Sequence, residues 1–146
     1  VYGPGSNLKK SVISKFIKDF ILFGENEIFG DGNQTRDFIY ISDLISAIEK
    51  SIYNEKIKNE VFQISTNVET KITEVNEFII ESLKAIGYQN LNTNYRNPRR
   101  GDVSKNFSDN SKALSLLNWS PKIKINQGID QTVKYFHSYK ESLINN

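Results

Sequence analysis

Apolar side chains recur every three or four residues in several stretches of the chain, a spacing that predicts amphipathic helices. In the clearest stretch, Ser11 can cap a helix that Gly24 closes. Its apolar positions are Val12, Ile13, Phe16, Ile17, Phe20 and Ile21. Similar patterns predict helices over residues 43–53 and 73–86, a short one after Asp109, and a last one after Asn126. Helices are therefore predicted along most of the chain.

Short apolar or alternating runs lie between these helices and predict strands. They are EIFG at 27–30, RDFIYI at 36–41, VFQIS at 61–65 and LNTNY at 91–95. The run at 61–65 is mostly apolar, as expected for a buried strand. Because helices alternate with short strands, the predicted fold class is mixed α and β, in a single domain.

Composition narrows the function classes. The chain has 146 residues, 38% of them hydrophobic and 25% charged, and a net charge of +2. That charge is too small to indicate a nucleic-acid-binding protein, and no apolar run reaches membrane-spanning length. Without cysteine there is neither a disulfide nor a thiolate metal site, so a cytoplasmic location is expected. His137 is the only histidine, and no metal site is predicted.

The stretch GDGNQTRDFIYISD, residues 30–43, partly resembles a dinucleotide-binding loop. That loop needs a third glycine and a helix at whose N-terminus the pyrophosphate binds. Here Thr35 stands in the third glycine's place and a strand is predicted to follow. The stretch is therefore a tight turn that sets Arg36 beside Asp37. An ordinary hairpin turn with a structural Arg–Asp contact is one reading of it.

A second basic stretch, RNPRRGDV, carries Arg96, Arg99, Arg100 and Asp102. Two arginines can clamp a diphosphate, and a carboxylate can accept sugar hydroxyls. The alternatives are a solvated loop, a phosphate- or nucleic-acid-binding module, and a plain interaction domain. A shared diphosphate site requires Arg36 and Arg99 to face one cleft.

The order of motifs resembles the C-terminal half of extended short-chain dehydrogenases/reductases, the NAD-dependent nucleotide-sugar epimerases and dehydratases. The motifs are VYGPG, an amphipathic helix, IFGDGNQTRDFIYISDLISAI, VFQIST and RRGDVSKNFSDNSKALSLLNWSPKI. The resemblance implies that residues 1–146 form the small substrate-binding lobe of such an enzyme, with the Rossmann half missing. It further implies UDP-sugar 4-epimerization through a 4-keto intermediate, with a 4,6-dehydratase or reductase as the alternative.

The resemblance also implies roles for individual residues. Arg36 and Arg99 would contact the substrate diphosphate, and Asp102 would hold the nucleotide ribose. Phe29 would lie against the base. Two neighbouring positions at the start of the first helix, Val12 and Ile13, would line the same pocket. Arg100 stands where the family commonly has proline or alanine, and no role is assigned to it.

Two further expectations concern what the chain lacks. The family's glycine-rich NAD loop and its Tyr-x-x-x-Lys pair are not in the sequence, so NAD is expected to bind only the intact parent and this chain is expected to be inactive. The helix at 43–53 and the strand at 61–65 would pack against the missing half. We therefore expect an exposed apolar surface and self-association, as a homodimer for example. The expected ligand is a nucleoside diphosphate sugar, with no nucleic-acid or membrane partner.

Overall fold

The computed structural model describes residues 1–55, 57–140 and 143. The elements in chain order are α1 (Val12–Phe23), β1 (Glu25–Phe29), β2 (Thr35–Arg36), α2 (Ile41–Ile52), β3 (Thr70–Lys71), α3 (Ile72–Ala85), β4 (Asn92–Arg96), α4 (Ser111–Leu117) and α5 (Ile125–Ser138). The predicted mixed α and β class is confirmed. Helix boundaries fall within about three residues of those expected from the apolar spacing.

Two small sheets position the loops of the molecule. Strands β1 and β4 run parallel, with Glu25 opposite Asn92 and Phe29 opposite Arg96. Strands β2 and β3 are antiparallel and pair over only two residues each. The turn after β1 and the loop after β4 therefore leave the parallel pair at the same edge.

The main core lies where α1, α3 and α5 pack together beneath β1. Helix α1 contributes its whole apolar stripe, and Val75, Ile79 and Leu83 of α3 meet Ile129, Val133 and Phe136 of α5 in it. Each of these six α3 and α5 side chains is fully buried. Spacing of three and four residues brings the stripes together on one side of each helix, which explains why the sequence pattern identified them.

A second, smaller cluster joins α2 to α4 through Trp119, which is 1% exposed. The indole Nε1 donates hydrogen bonds to the Asp43 carbonyl oxygen at 3.0 Å and to Ser46 Oγ at 2.9 Å. Asp43 is also buried, and its Oδ2 accepts a bond from the backbone N–H of Ile123 at 3.0 Å. Trp119 therefore anchors α2 to α4.

Two predicted strands differ from the structure. In the run at 36–41 only Arg36 belongs to a strand, because β3 leads directly into α3 and offers no longer partner. Tyr40 forms an isolated parallel bridge with Tyr2. Residues 61–65 form no strand, and Val61 is 79% exposed. In the described part of the chain no neighbouring strand runs beside them to satisfy their backbone. The buried strand expected there was therefore wrong for this chain.

Helix α2 presents an apolar surface to solvent, which we call the α2 face. It consists of Ile45, Ile48 and Ile52, which are 47%, 49% and 69% exposed. Neighbouring side chains on the same helix, such as Ala47, are buried against the Trp119 cluster. Helix α2 is thus apolar on both sides but covered on only one. Within the described residues, no helix combines the length and apolarity needed to cross a membrane.

Candidate functional site

A cleft of about 190 Å³ opens at the edge where β1 and β4 end. Its walls come from the start of α1, the end of β1, the turn before β2 and the loop after β4. Arg36, Arg99, Asp102, Phe29 and Val12 all line it. The two arginines expected to share a site therefore do face one cleft. Ligand pockets usually occupy roughly 300–1,000 Å³, so a cleft of this size can hold only part of a nucleotide sugar.

Glycine sets the path of the turn that delivers Arg36. Gly32 has φ +76°, and a Cβ there would lie 2.5 Å from Thr73 Cγ2 at the start of α3. The turn therefore packs directly on α3 only because this residue has no side chain. Asp31 closes the turn by accepting bonds from the backbone and side chain of Asn33, which lowers the pKa of the Asp31 carboxyl.

Arg36 holds the loop after β4 in place. Its Nη2 lies 2.6 Å from Asp102 Oδ1, and its Nη1 donates to the carbonyl oxygens of Thr35 at 2.8 Å and Val103 at 2.5 Å. The backbone N–H of Thr35 donates to the Ser104 carbonyl at 2.9 Å. The partner of Arg36 is thus Asp102, 66 residues away along the chain, and not the adjacent Asp37.

Asp37 bonds to other residues, so the reading of a structural contact between Arg36 and Asp37 was wrong. Its Oδ1 accepts bonds from the backbone N–H and hydroxyl of Thr66, and its Oδ2 from the backbone N–H of Asn67. These bonds tie the extended segment after Arg36 to the segment that leads into β3. Asp37 is therefore structural.

Arg99 lies against an aromatic wall of the cleft. Its guanidinium carbon is 3.9 Å from the centroid of the Phe29 ring, a cation–π contact between the two sides of the cleft. The turn that places it has Gly101 at φ +82° and a bond from the Asp102 N–H to the Arg99 carbonyl at 3.2 Å. Arg100, next in sequence, is exposed and does not line the cleft.

The charges around the cleft are only partly compensated. Glu27 pairs with Arg96 at 2.9 Å, Asp102 with Arg36, and Lys15 with Asp19. Lys10 and Arg99 also line the cleft, yet neither forms a salt bridge with any residue that the structure describes. Two uncompensated cations therefore face the cleft, which suits a ligand with negative charge.

One expected lining residue is not in the cleft. Ile13 is 1% exposed and packs in the main core, whereas Val12 faces the cleft. Ile13 belongs to the stripe of α1 that packs against α3 and α5, so its side chain lies in the core and not in the cleft. Lys10, Phe16 and Gln34 line it without having been identified from sequence. Gln34 has no sequence feature that marks it as a site residue. Its Nε2 donates a hydrogen bond to the Phe29 carbonyl at 2.9 Å.

The glycine-containing turn before β2 does not have the geometry of a dinucleotide-binding loop. The Gly30–Gly32 turn leads into β2 and not into a helix, and the space beside Gly32 is filled by Thr73 and Ile28. A cofactor loop needs that space for a phosphate. Acidic and histidine side chains do not converge in groups of three or more anywhere in residues 1–55, 57–140 and 143, so these residues present no metal centre.

Comparison with known proteins agrees with the motif order. The model of the GDP-mannose 4,6-dehydratase family matches residues 2–132. A UDP-glucuronate 4-epimerase from Thermodesulfobacterium geofontis is 33% identical over 135 residues, which cover 92% of this chain and 40% of that protein. The chain thus spans about two fifths of the length of the relatives it matches.

Solved structures of epimerases also superpose on this chain and extend well beyond it. The UDP-glucose 4-epimerase of Thermotoga maritima, solved with UDP-glucose, superposes with a TM-score of 0.82 at 31% identity, covering 95% of this chain and 44% of that one. The UDP-glucuronic acid 4-epimerase of Bacillus cereus, solved with UDP-glucuronic acid and NAD, gives 0.78 at 29% identity, covering 94% and 42%.

Proposed function

The chain belongs to the GDP-mannose 4,6-dehydratase family of extended short-chain dehydrogenases/reductases, and from that premise we propose that it is the nucleotide-sugar-binding part of an NAD-dependent 4-epimerase. The observation that carries the proposal is the convergence of Arg36, Arg99, Asp102 and Phe29 on one cleft. Two separate loops bring these residues together, and the motif positions of all four had indicated the same ligand.

Each side chain has a chemistry that suits one part of a nucleoside diphosphate. The guanidinium groups of Arg36 and Arg99 can donate to diphosphate oxygens, and Lys10 adds a further positive charge. Asp102 Oδ1 is bonded to Arg36, while its Oδ2 meets no donor among the described residues and can accept a ribose hydroxyl. The Phe29 ring, which the Arg99 guanidinium covers on one face, offers the base an apolar surface on the rest of the ring.

The parent reaction that we propose is 4-epimerization of a UDP-sugar through a 4-keto intermediate. Two solved relatives with bound UDP-sugars are 4-epimerases, which supports this choice. The alternative is a 4,6-dehydratase or reductase, which the name of the matching family model favours. The residues of this chain would bind and orient the nucleotide. Since the sequence has neither the glycine-rich NAD loop nor the Tyr-x-x-x-Lys pair, we expect this chain alone to be inactive.

The test is a titration of the isotope-labelled chain with UDP, followed by amide shifts in nuclear magnetic resonance spectra. We expect saturable shifts around Phe29 and Arg99. Arg99→Ala should weaken UDP binding by about 1.5–3 kcal/mol, the loss of a hydrogen bond to a charged group. Arg100→Ala removes the same charge one residue away from the cleft and serves as the matched control, with affinity unchanged.

Two outcomes would contradict the proposal. Equal losses from Arg99→Ala and Arg100→Ala would show that UDP responds only to the general charge of the loop. Tighter binding of a short single-stranded oligonucleotide than of UDP, with shifts spread over the whole loop from Arg96 to Arg100, would support the nucleic-acid-binding alternative.

A further inference from the structure

Arg99 and Phe29 contact each other across the cleft, and the proposed function needs both of them for other partners. The Arg99 guanidinium carbon lies 3.9 Å from the centroid of the Phe29 ring, and both residues line the cleft. The proposed function assigns the ring to the base and the guanidinium to the diphosphate. While the guanidinium covers one face of the ring, a base can reach only the rest of it. Full stacking of the base therefore requires one of the two side chains to move.

Phe29 is the fixed partner of this contact. It is the last residue of β1, and all five residues of β1 pair with β4. Its carbonyl oxygen accepts the hydrogen bond from Gln34 Nε2. The next residue, Gly30, donates its backbone N–H to the Arg96 carbonyl oxygen at 2.9 Å. Hydrogen bonds therefore hold the backbone on both sides of the ring.

Arg99 is the movable partner. Its side chain is exposed, and its guanidinium forms no hydrogen bond or salt bridge with any residue that the structure describes. The loop that carries it is anchored further along, where Arg36 binds the Asp102 carboxylate and the Val103 carbonyl oxygen. The Arg99 side chain can therefore leave the ring by rotation about its own bonds, while the loop keeps its place.

The two partners available to the Arg99 guanidinium differ in strength. An exposed cation–π contact is weak, whereas a guanidinium forms two parallel charge-assisted hydrogen bonds with phosphate oxygens. Arginine suits both contacts, because its guanidinium is flat and always charged. A phosphate group in the cleft can therefore draw Arg99 away from the ring. A ligand without phosphate cannot compensate for the contact that is lost.

We propose that Arg99 makes the cleft selective for nucleotides over nucleosides. Its guanidinium covers Phe29 until it binds the diphosphate, and this exchange uncovers the ring for the base. A nucleoside has to displace the guanidinium and offers it no new partner, so the nucleoside binds at a disadvantage. One side chain thereby couples phosphate binding to base binding. This role of Arg99 rests on the proposed function and adds to it a basis for ligand selectivity.

Arg99→Ala should change the affinities for two ligands in opposite directions. UDP and uridine are each titrated into the isotope-labelled chain and followed by amide shifts. The affinity for UDP should fall at least about tenfold, because a hydrogen bond to a charged group is lost. The affinity for uridine should rise about two- to fivefold, because no cation–π contact has to be broken. Arg100→Ala removes the same charge from an exposed neighbour outside the cleft and should change neither affinity.

A second substitution shows whether the Phe29 ring is responsible. In the Phe29→Leu background there is no ring to uncover, so Arg99→Ala should not raise the affinity for uridine. The side-chain protons of Arg99 give a direct readout, because the ring current of Phe29 shifts their resonances upfield while the guanidinium covers the ring. This upfield shift should be absent in Phe29→Leu and should disappear when UDP saturates the unsubstituted chain.

Three outcomes separate this role of Arg99 from the proposed function. If Arg99→Ala weakens UDP binding but binds uridine no better than the unsubstituted chain does, the exchange is refuted while nucleotide binding stands. An upfield shift of the Arg99 protons that persists at UDP saturation would also refute the exchange alone. If UDP does not bind the unsubstituted chain, the proposed function and the exchange both fail.

Discussion

Replacing Gly128 with alanine sets helix propensity against packing, and the structure indicates which effect is larger. Gly128 lies in the first turn of α5, where glycine costs a helix about 0.8–1.0 kcal/mol relative to alanine. A Cβ at this position would lie 2.8 Å from Tyr2 Cζ and 2.9 Å from Tyr40 Cδ2. These rings are 2% and 5% exposed and lie edge-to-face, so neither can move freely.

Overpacking a filled core costs roughly 1–3 kcal/mol, and contacts under 3 Å with two fixed rings place Gly128→Ala at the upper end. After the gain in helix propensity, the free energy of unfolding should fall by about 2 kcal/mol. For a chain of this size that corresponds to a decrease of about 4–8 °C in Tm. Urea unfolding followed by the fluorescence of Trp119, the single tryptophan, measures the change.

The origin of the loss can be checked with a double-mutant cycle. Tyr2→Phe removes the hydroxyl that meets the new methyl group, and its own bond to the Ile125 carbonyl is long at 3.4 Å. It should recover part of the loss in the Gly128→Ala background. Ala85→Gly at an exposed position of α3 measures propensity alone. A Gly128→Ala variant as stable as the parent chain, or no coupling to Tyr2, would refute the reasoning.

Three other expectations follow from the structure. The α2 face should drive self-association, so sedimentation equilibrium should show a dimer that Ile48→Glu dissociates; a monodisperse monomer with residues 61–65 protected from amide exchange would contradict this. Calorimetry should detect no saturable NAD binding to the chain, and a clear isotherm would show that the site residues were misread. Asp43→Ala should lower the free energy of unfolding by about 1–3 kcal/mol, because it leaves the Ile123 N–H without an acceptor. Asp43→Asn keeps an acceptor oxygen and should cost less. Equal losses for the two variants in thermal unfolding would refute that account.

Sequence patterns predicted the helices well, because the three long helices of the main core each carry a continuous apolar stripe. They did not predict which strands pair. EIFG and LNTNY each have strand character, but nothing local in either shows that β1 and β4 run parallel. The run at 61–65 failed for a related reason. Its apolar residues suit a buried strand, yet strand formation depends on a neighbour that residues 1–55, 57–140 and 143 do not supply.

The residues of the candidate site were predicted from motif positions. The structure adds the contacts between these residues, which their spacing in the sequence cannot give. The pairing of Arg36 with Asp102, and the stacking of Arg99 on Phe29, depend on where β4 ends relative to β1. Ile13 was misplaced because the packing of α1 on α3 and α5 decides which of its apolar residues enter the core, and the sequence does not show that packing. Lys10 lies in a loop without periodicity, so only coordinates could place it in the cleft.

The parallel pairing of β1 with β4 has a consequence for how the chain folds. The two strands are joined by two helices and two short strands, so their contact closes a long loop and comes at a large entropic cost. Contacts so distant in sequence tend to form slowly. Phe29 and Arg99, which extend from these strands, can meet only after that closure. In a refolding experiment, the cleft should therefore gain its ligand affinity together with the slowest major phase, well after α1 and α3 have become helical.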